Sequence, residues 1–454
     1  MARQLTAVNL YTSSPTFPGL DERRSLTHLD VVTWLTIYTI VLLGIPSRLV
    51  IGPLGSAGAP SMLLGLVNLG GWLLLRLGAW RPNYMGLNPV RVALSLFIFS
   101  VGLSYVLAMS QPINSDEVSP ADVAILSLLS WAGTLLVASG ISRMDRLNTL
   151  VWRLAVAGGL LGILGIAQFV TRSAIVDVIN VPGLTAVREA LPYFRDGRIR
   201  PSGTAIHPLE YGTILSLLLP LALHVAFHHR SRSVVVRWIP ALAIGGVIAI
   251  SSSRTAYLSG LLAVLICVVG WTARQRRIVL AVAVGGTLAL MAVTPRLINS
   301  VIAMFTGAAD DPSVESRTDS MGVAWKFLGE HPILGRGLGT FLPKYRIFDN
   351  QYLLLLVSVG IVGTALFVGV LLTSIVQLVR AYRSTKDQTT RDLSISLVAA
   401  IMAGALSLAF FDAFAFPMTM GTLFLIVGIG CAFTRQILTQ ERRGMRFLIE
   451  EQAI

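Results

Sequence analysis

Charge is scarce in this chain. Only 13% of its 454 residues are Asp, Glu, Lys or Arg, against 54% hydrophobic. An ordinary water-soluble domain carries about 25% charged residues, so a soluble fold is excluded. Cysteine is scarcer still: Cys267 and Cys431 are the only two, and both fall inside hydrophobic runs. A disulfide framework or a cysteine zinc site is therefore not expected. The sequence also lacks an HExxH pair, a nucleophile elbow, paired aspartates at metal spacing and a nucleotide fingerprint. No metal and no cofactor is expected. At the N-terminus there is no short apolar segment followed by a small-residue cleavage site, so the first hydrophobic run is expected to be retained.

Apolar length is what the chain has in abundance. Runs of about 20 apolar residues, each able to cross a bilayer as a helix, recur along nearly all of it. They fall at 31–47, 60–75, 92–109, 121–141, 149–170, 207–227, 238–251, 255–272, 278–294, 350–379, 393–412 and 416–434. The seventh is the shortest, and the tenth is long enough to tilt or to continue past the bilayer. The fold class predicted is an all-α integral membrane protein of about twelve transmembrane helices. A polar tail (1–29) precedes the membrane domain (30–436), and a second tail (437–454) follows it.

Most Lys and Arg lie in alternate connections, such as Arg230, Arg232 and Arg237, then Arg274, Arg276 and Arg277. The positive-inside rule places these, and both termini, in the cytoplasm. This topology accounts for most of the formal +13 charge, and nucleic acid is not an expected partner. Two larger loops, 171–206 and 295–348, then lie outside and are expected to contain short helices. They hold the exceptions to the charge rule: Arg172, Arg188, Arg195, Arg198 and Arg200 in the first, and Arg317, Lys326, Arg336, Lys344 and Arg346 among those in the second. Arg254 adds one more in a short external turn. Long loops translocate whatever their charge; the alternative is that these arginines converge on an anion. The planar guanidinium suits phosphate because it donates in pairs and stays charged.

Three polar stretches are candidates for chemistry. The first, Arg317 to Gly363, opens with a helical face on which Met321, Ala324, Trp325 and Leu328 follow Arg317. A turn at Gly335, Gly337 and Gly339 comes next, then Asp349-Asn350 at the mouth of a span. The glycine run fits no phosphate-loop spacing. The second, Arg198 to Gly212, places His207 and Glu210 one turn apart ahead of a span. His207 is either a helix-end residue bonded to backbone or part of a site. Glu210, inside the apolar run, either balances an arginine or accepts a proton. The third, Ser251-Ser252-Ser253-Arg254-Thr255, surrounds an arginine with hydroxyls at a span junction.

In order and spacing these stretches resemble the O-antigen ligase and polymerase superfamily of bacterial membrane proteins. The matching residues are Arg200-Pro-Ser-Gly-Thr with His207-Pro208, Ser253-Arg254, Arg317 with Ala324-Trp325, and His331-Pro332 with Gly335-Arg336-Gly337-Leu338-Gly339. Asp349-Asn350-Gln351-Tyr352-Leu353 and Gly360-Ile361-Val362-Gly363 complete the set, which spans about residues 195–365. The resemblance implies a GT-C-like glycosyltransferase of the cytoplasmic membrane. Such an enzyme moves a glycan from a polyprenyl-diphosphate carrier to an acceptor hydroxyl on a glycan or lipid-linked acceptor. It works at the outer face, without a nucleotide sugar or a metal.

Arg200 and Arg317 occupy the family's diphosphate-holding positions, with Arg254, Arg198, Arg346, His207 and Asn350 as further binding candidates. Where family members often carry a histidine this chain has Asp349, so Asp349 or Glu210 is the expected base. Polymerase and ligase readings both remain open. A transporter for an anionic lipid-linked glycan is the alternative from another class, and a scaffold for polysaccharide export a third.

Overall fold

The computed structural model describes residues 30–77, 88–189, 192–195, 197–293 and 312–452. Thirteen helices lie among them: α1 Val31–Gly44, α2 Pro60–Leu77, α3 Pro89–Met109, α4 Ser115–Ala138, α5 Met144–Thr171, α6 Pro208–His228, α7 Val234–Ile250, α8 Arg254–Gly270, α9 Ala273–Val293, α10 Pro312–Glu330, α11 Gln351–Ser384, α12 Gln388–Ser407 and α13 Pro417–Gln452. Nine are long and apolar enough to cross a membrane, and α1, α7 and α8 are shorter apolar helices. Every predicted run coincides with one of these twelve. The protein is an all-α integral membrane protein.

Burial separates the helices into an inside and an outside. Both α6 and α13 are enclosed over nearly their whole apolar length, whereas the apolar side chains of α9 face outward. Small residues let backbones approach where apolar side chains alone would hold them apart. A Cβ on Gly133 of α4 would meet the Gly65 carbonyl of α2 at 2.5 Å. Helix α13 continues to Gln452, past the predicted end of its apolar run.

Three features differ from the sequence expectation. Among the described residues that follow α5 up to 206, helix is limited to one turn of 3-10 at Val176–Val178, and short strands stand where short helices were expected. Strand β1 (Leu49–Val50) pairs with β2 (Thr185–Ala186), and β3 (Tyr193–Arg195) pairs with β4 (Arg198–Arg200). On α10 the buried side is Ser320, Ala324 and Leu328, while Met321 and Trp325 point outward. The polar Ser320 belongs to the packed face because its hydroxyl accepts from Arg346 Nε (3.2 Å).

The third difference is a break inside α11. Gly360 has φ 66°, which costs an L side chain about 1–2 kcal/mol and glycine almost nothing. A break frees backbone groups that hydrocarbon cannot satisfy. The glycine-marked loop satisfies them: Arg336 N–H donates to Val357 O (3.0 Å) and Gly337 N–H to Ser358 O (2.8 Å). In return Ile361 N–H donates to Pro332 O (2.9 Å). Gly335 itself packs with its Cα against this break, where a Cβ would lie 2.4 Å from the Ser358 carbonyl carbon.

Candidate functional site

Helices α6, α8, α11 and α13 begin at one end of the bundle, here called the mouth. Each start is encoded locally. His207, Ser253 and Asn350 are N-caps whose side chains accept backbone N–H groups, and Pro208 and Pro417 occupy first helical positions. Contacts between the starts hold them together. Both Glu210 oxygens are engaged, Oε2 with Ile206 N–H (3.0 Å) and Oε1 with Met418 N–H in the first turn of α13 (2.9 Å). Gln351 N–H donates to Leu408 O (2.8 Å), and its Oε1 accepts from Phe414 N–H (2.8 Å). Ser216 of α6 donates to Ala256 O of α8 (3.3 Å). Helix N-termini carry partial positive charge, so each of the four starts contributes positive field at the mouth.

Two arginines add to that field. Arg254 is the first residue of α8 and half-buried, behind the buried run Ser251 to Ser253. Ser252 is held at φ 49°, an uncommon backbone state for a residue with a Cβ. Arg200 ends β4, opposite Tyr193, whose ring meets His207 edge-on at 4.8 Å. The turn that follows is pinned by buried Gln168, whose Oε1 accepts from Ser202 N–H (3.1 Å) and Gly203 N–H (2.8 Å). His207 Nδ1 accepts Leu209 N–H (3.1 Å), so the ring is neutral with its proton on Nε2. Burial first, and the Arg200 charge second, push its pKa down to about 4.

Carboxylates sit at the same end. Asp412 lies on the loop between α12 and α13, which carries Phe414 to Gln351 and Phe416 to His207. Burial, with the charge of nearby Asp349 behind it, pushes the Asp412 carboxyl up to about 6. Gln351 is fully buried, and its Nε2 makes no hydrogen bond among the described residues.

The predicted residues thus divide. Arg200, Arg254, His207, Glu210, Asp349 and Asn350 all belong to the mouth. Within it, Glu210 ties the start of α6 to the start of α13, and Asn350 Oδ1 caps its own helix (2.9 Å to Tyr352 N). Arg346 bridges to α10 through Ser320. The side chains of Arg317, Arg195 and Arg198 lie outside the described residues. Two other loop cations do not gather at the mouth. Arg336 pairs with Glu117 Oε1 (2.8 Å) and Lys344 with Asp116 (2.5 Å), both in the first turn of α4. Tyr345 also hydrogen-bonds Glu117 and lies under the Arg336 guanidinium, 5.0 Å from ring centroid.

A cleft of about 490 Å³ opens beside this clamp, lined by Leu107, Gln111, Glu117, His331, Ile333 and Arg336 among others. Neither Arg200 nor Arg254 lines it.

Sequence reasoning missed Asp412, Gln351 and Gln168. Asp412 closes the apolar run 393–412, although a carboxylate amid Phe410, Phe411, Phe414 and Phe416 is a signal in itself. Gln168 lies 35 residues from its partner Gly203, so no local pattern reveals it.

No curated protein matches the chain. A family model described as O-antigen ligase matches residues 239–368, a stretch holding Arg254, Arg317, Asp349 and Gly360 but starting beyond Arg200 and His207. That match, added to the ordered motifs in the sequence, supports the chain's place in the O-antigen ligase and polymerase superfamily.

Proposed function

We propose that this protein transfers a glycan from a polyprenyl-diphosphate carrier to an acceptor hydroxyl, acting as a polysaccharide ligase or repeat-unit polymerase at the outer face of the cytoplasmic membrane. Twelve spans with both termini inside would put the mouth on that face. The observation that carries the reading is that four helix starts meet at one end of the bundle, with Arg200 and Arg254 at two of them and the neighbouring carboxylates Asp349 and Asp412 ahead of the other two.

Breaking the sugar–phosphate bond leaves its electrons on the carrier diphosphate. Fixed N–H dipoles and guanidinium groups aimed at that charge lower the barrier without reorganising. Arg200, Arg254 and, by position in the sequence, Arg317 are assigned to this role. The buried Nε2 of Gln351 is a further donor suited to an oxygen of the substrate.

The acceptor hydroxyl proton needs a base at the moment its oxygen attacks the anomeric carbon. Asp349 takes that role, with Asp412 as its electrostatic partner or its substitute. Glu210 serves instead as a positioning residue, since both of its oxygens already accept backbone N–H groups.

Reconstitution with a polyprenyl-diphosphate oligosaccharide, followed by sizing of the product, tests this. A ladder identifies a polymerase, and a single adduct on a different acceptor identifies a ligase. Movement of labelled lipid across the vesicle without a new glycosidic bond would sink the enzyme reading in favour of a transporter.

A further inference from the structure

Three side chains far from the mouth make a compact set of metal ligands. His224 and His228 lie one turn apart on α6, and Asp392 faces them from α12, 168 residues beyond His224. Their ligand atoms all lie within 4.8 Å of one another. His224 Nδ1 is 2.6 Å from Asp392 Oδ1, and His228 Nε2 is 3.6 Å from the same oxygen. The His224 and Asp392 side chains are 1% exposed and that of His228 10%. A carboxylate so placed is expensive unless a cation or several donors meet it.

The surroundings fix which His228 nitrogen faces Asp392. Thr272 donates through both N–H (2.7 Å) and Oγ1 (2.9 Å) to Gln275 Oε1, so the Gln275 amide is oriented with Nε2 toward His228. That Nε2 lies 3.3 Å from His228 Nε2, and as an amide nitrogen it can only donate. His228 Nε2 is therefore an acceptor that offers Asp392 no proton, and an ion binding there would take over the lone pair that this amide now occupies. Its other nitrogen, Nδ1, then carries the proton and donates to Thr389 Oγ1 (3.3 Å). Two acceptors 3.6 Å apart repel unless something positive lies between them. An imidazole with one nitrogen turned inward and the other held by an outer acceptor is also how metal-bound histidines are oriented.

We infer that His224, His228 and Asp392 form a binding site for a divalent transition metal, zinc being the best fit. Two imidazoles and one carboxylate suit zinc and its cobalt substitute better than they suit calcium or magnesium, which prefer all-oxygen shells. Bonds of roughly 2.0–2.2 Å set neighbouring ligand atoms a little over about 3 Å apart. The 3.6 Å separation already matches, and the 2.6 Å one opens as the metal replaces the proton between His224 and Asp392. That proton leaves Nδ1 for the ring's Nε2 or for solvent, so affinity falls on acidification. Exposed Thr389 marks the path of entry.

The ion would clip α6 to α12 at the end opposite the mouth. These are the helices whose other ends carry His207 and lead into the Asp412 loop. The third ligand comes from a helix 164 residues beyond His228, so no local spacing reveals the set.

The test uses the full chain with a histidine-free tag, purified in detergent and stripped with chelator. Cobalt titration followed by visible absorption, with zinc quantified per chain, should show one metal per protein with tetrahedral cobalt bands. His228→Gln and Asp392→Asn should each weaken binding at least tenfold, whereas His331→Ala should leave it unchanged. Zinc should raise the thermal midpoint of the wild type but not of the two ligand variants. Absence of cobalt bands, or binding that survives both ligand substitutions, would overturn the site. Because the readout is metal and not glycan, the result stands apart from the proposed transfer activity.

Discussion

Arg336 and Arg200 stand in similar glycine-marked stretches between hydrophobic runs, yet they meet different surroundings. Arg336 faces a carboxylate of its own chain: Glu117 at the start of α4 holds it at 2.8 Å, with Tyr345 and Phe327 beneath the guanidinium. Arg200 faces a neutral imidazole and the start of α6, where its charge helps keep His207 unprotonated. The first arrangement closes an electrostatic account inside the protein and locks the loop that mends the break in α11. The second sets a guanidinium beside a neutral imidazole and the N-terminus of α6. A count of external cations treats the two alike, and only their partners tell a clamp from a site.

Arg336→Ala should have the largest effect. It strands the buried carboxylate of Glu117, which should cost roughly 3–5 kcal/mol of stability, read as a lowered thermal midpoint in detergent. Adding Glu117→Gln should restore much of it. Transfer per folded molecule should persist, and its abolition without unfolding would move Arg336 into the site.

Arg200→Ala and Arg254→Ala should do the reverse. Each should cut transfer by about 10²–10³-fold, the usual effect of removing one donor to developing charge, with membrane insertion unchanged. Wild-type glycan output from either would remove that arginine from the diphosphate site.

Gly360→Ala comes next. It forces an alanine into the left-handed region and sets its Cβ 2.3 Å from Ile333 O, for a loss of roughly 2–4 kcal/mol. Limited proteolysis should then cut the 331–350 loop faster; unchanged protection would mean that the loop does not depend on the break.

Asp412 should make both stability and transfer depend on pH. Its folded pKa, about 6, lies above the ordinary 3.8, so the folded state favours the protonated form. Stability should fall as pH rises between about 4 and about 6. Transfer should rise on passing about pH 6 if the ionised carboxylate supports Asp349. Asp412→Asn should flatten both trends and slow transfer by about tenfold or more; a rate profile with its inflection intact would exclude Asp412. His207 has the opposite sign, with stability lost as pH falls from about 6.5 to about 4.

The smallest effect belongs to Ser252→Gly. Relief of the φ 49° backbone should stabilise by up to about 1 kcal/mol, less glycine's added entropy in the unfolded chain. A lowered rate alongside would show that the strain helps to position Arg254.

Hydrophobic run length determined the all-α membrane fold and the place of its helices, because hydrocarbon tolerates only backbone satisfied within its own segment. Local chemistry also determined the starts at His207-Pro208, Ser253-Arg254 and Asn350-Gln351, since caps act over two or three residues. Tertiary structure alone decided which polar groups meet. Glu210 became a tie to α13, Asp412 emerged beside Asp349, and Ser320 displaced Met321 and Trp325 from the packed face of α10. Asp392 reached two histidines across 168 residues. Partners so far apart in the chain leave no trace in spacing, because the distance that sets their energy exists only after the helices have packed.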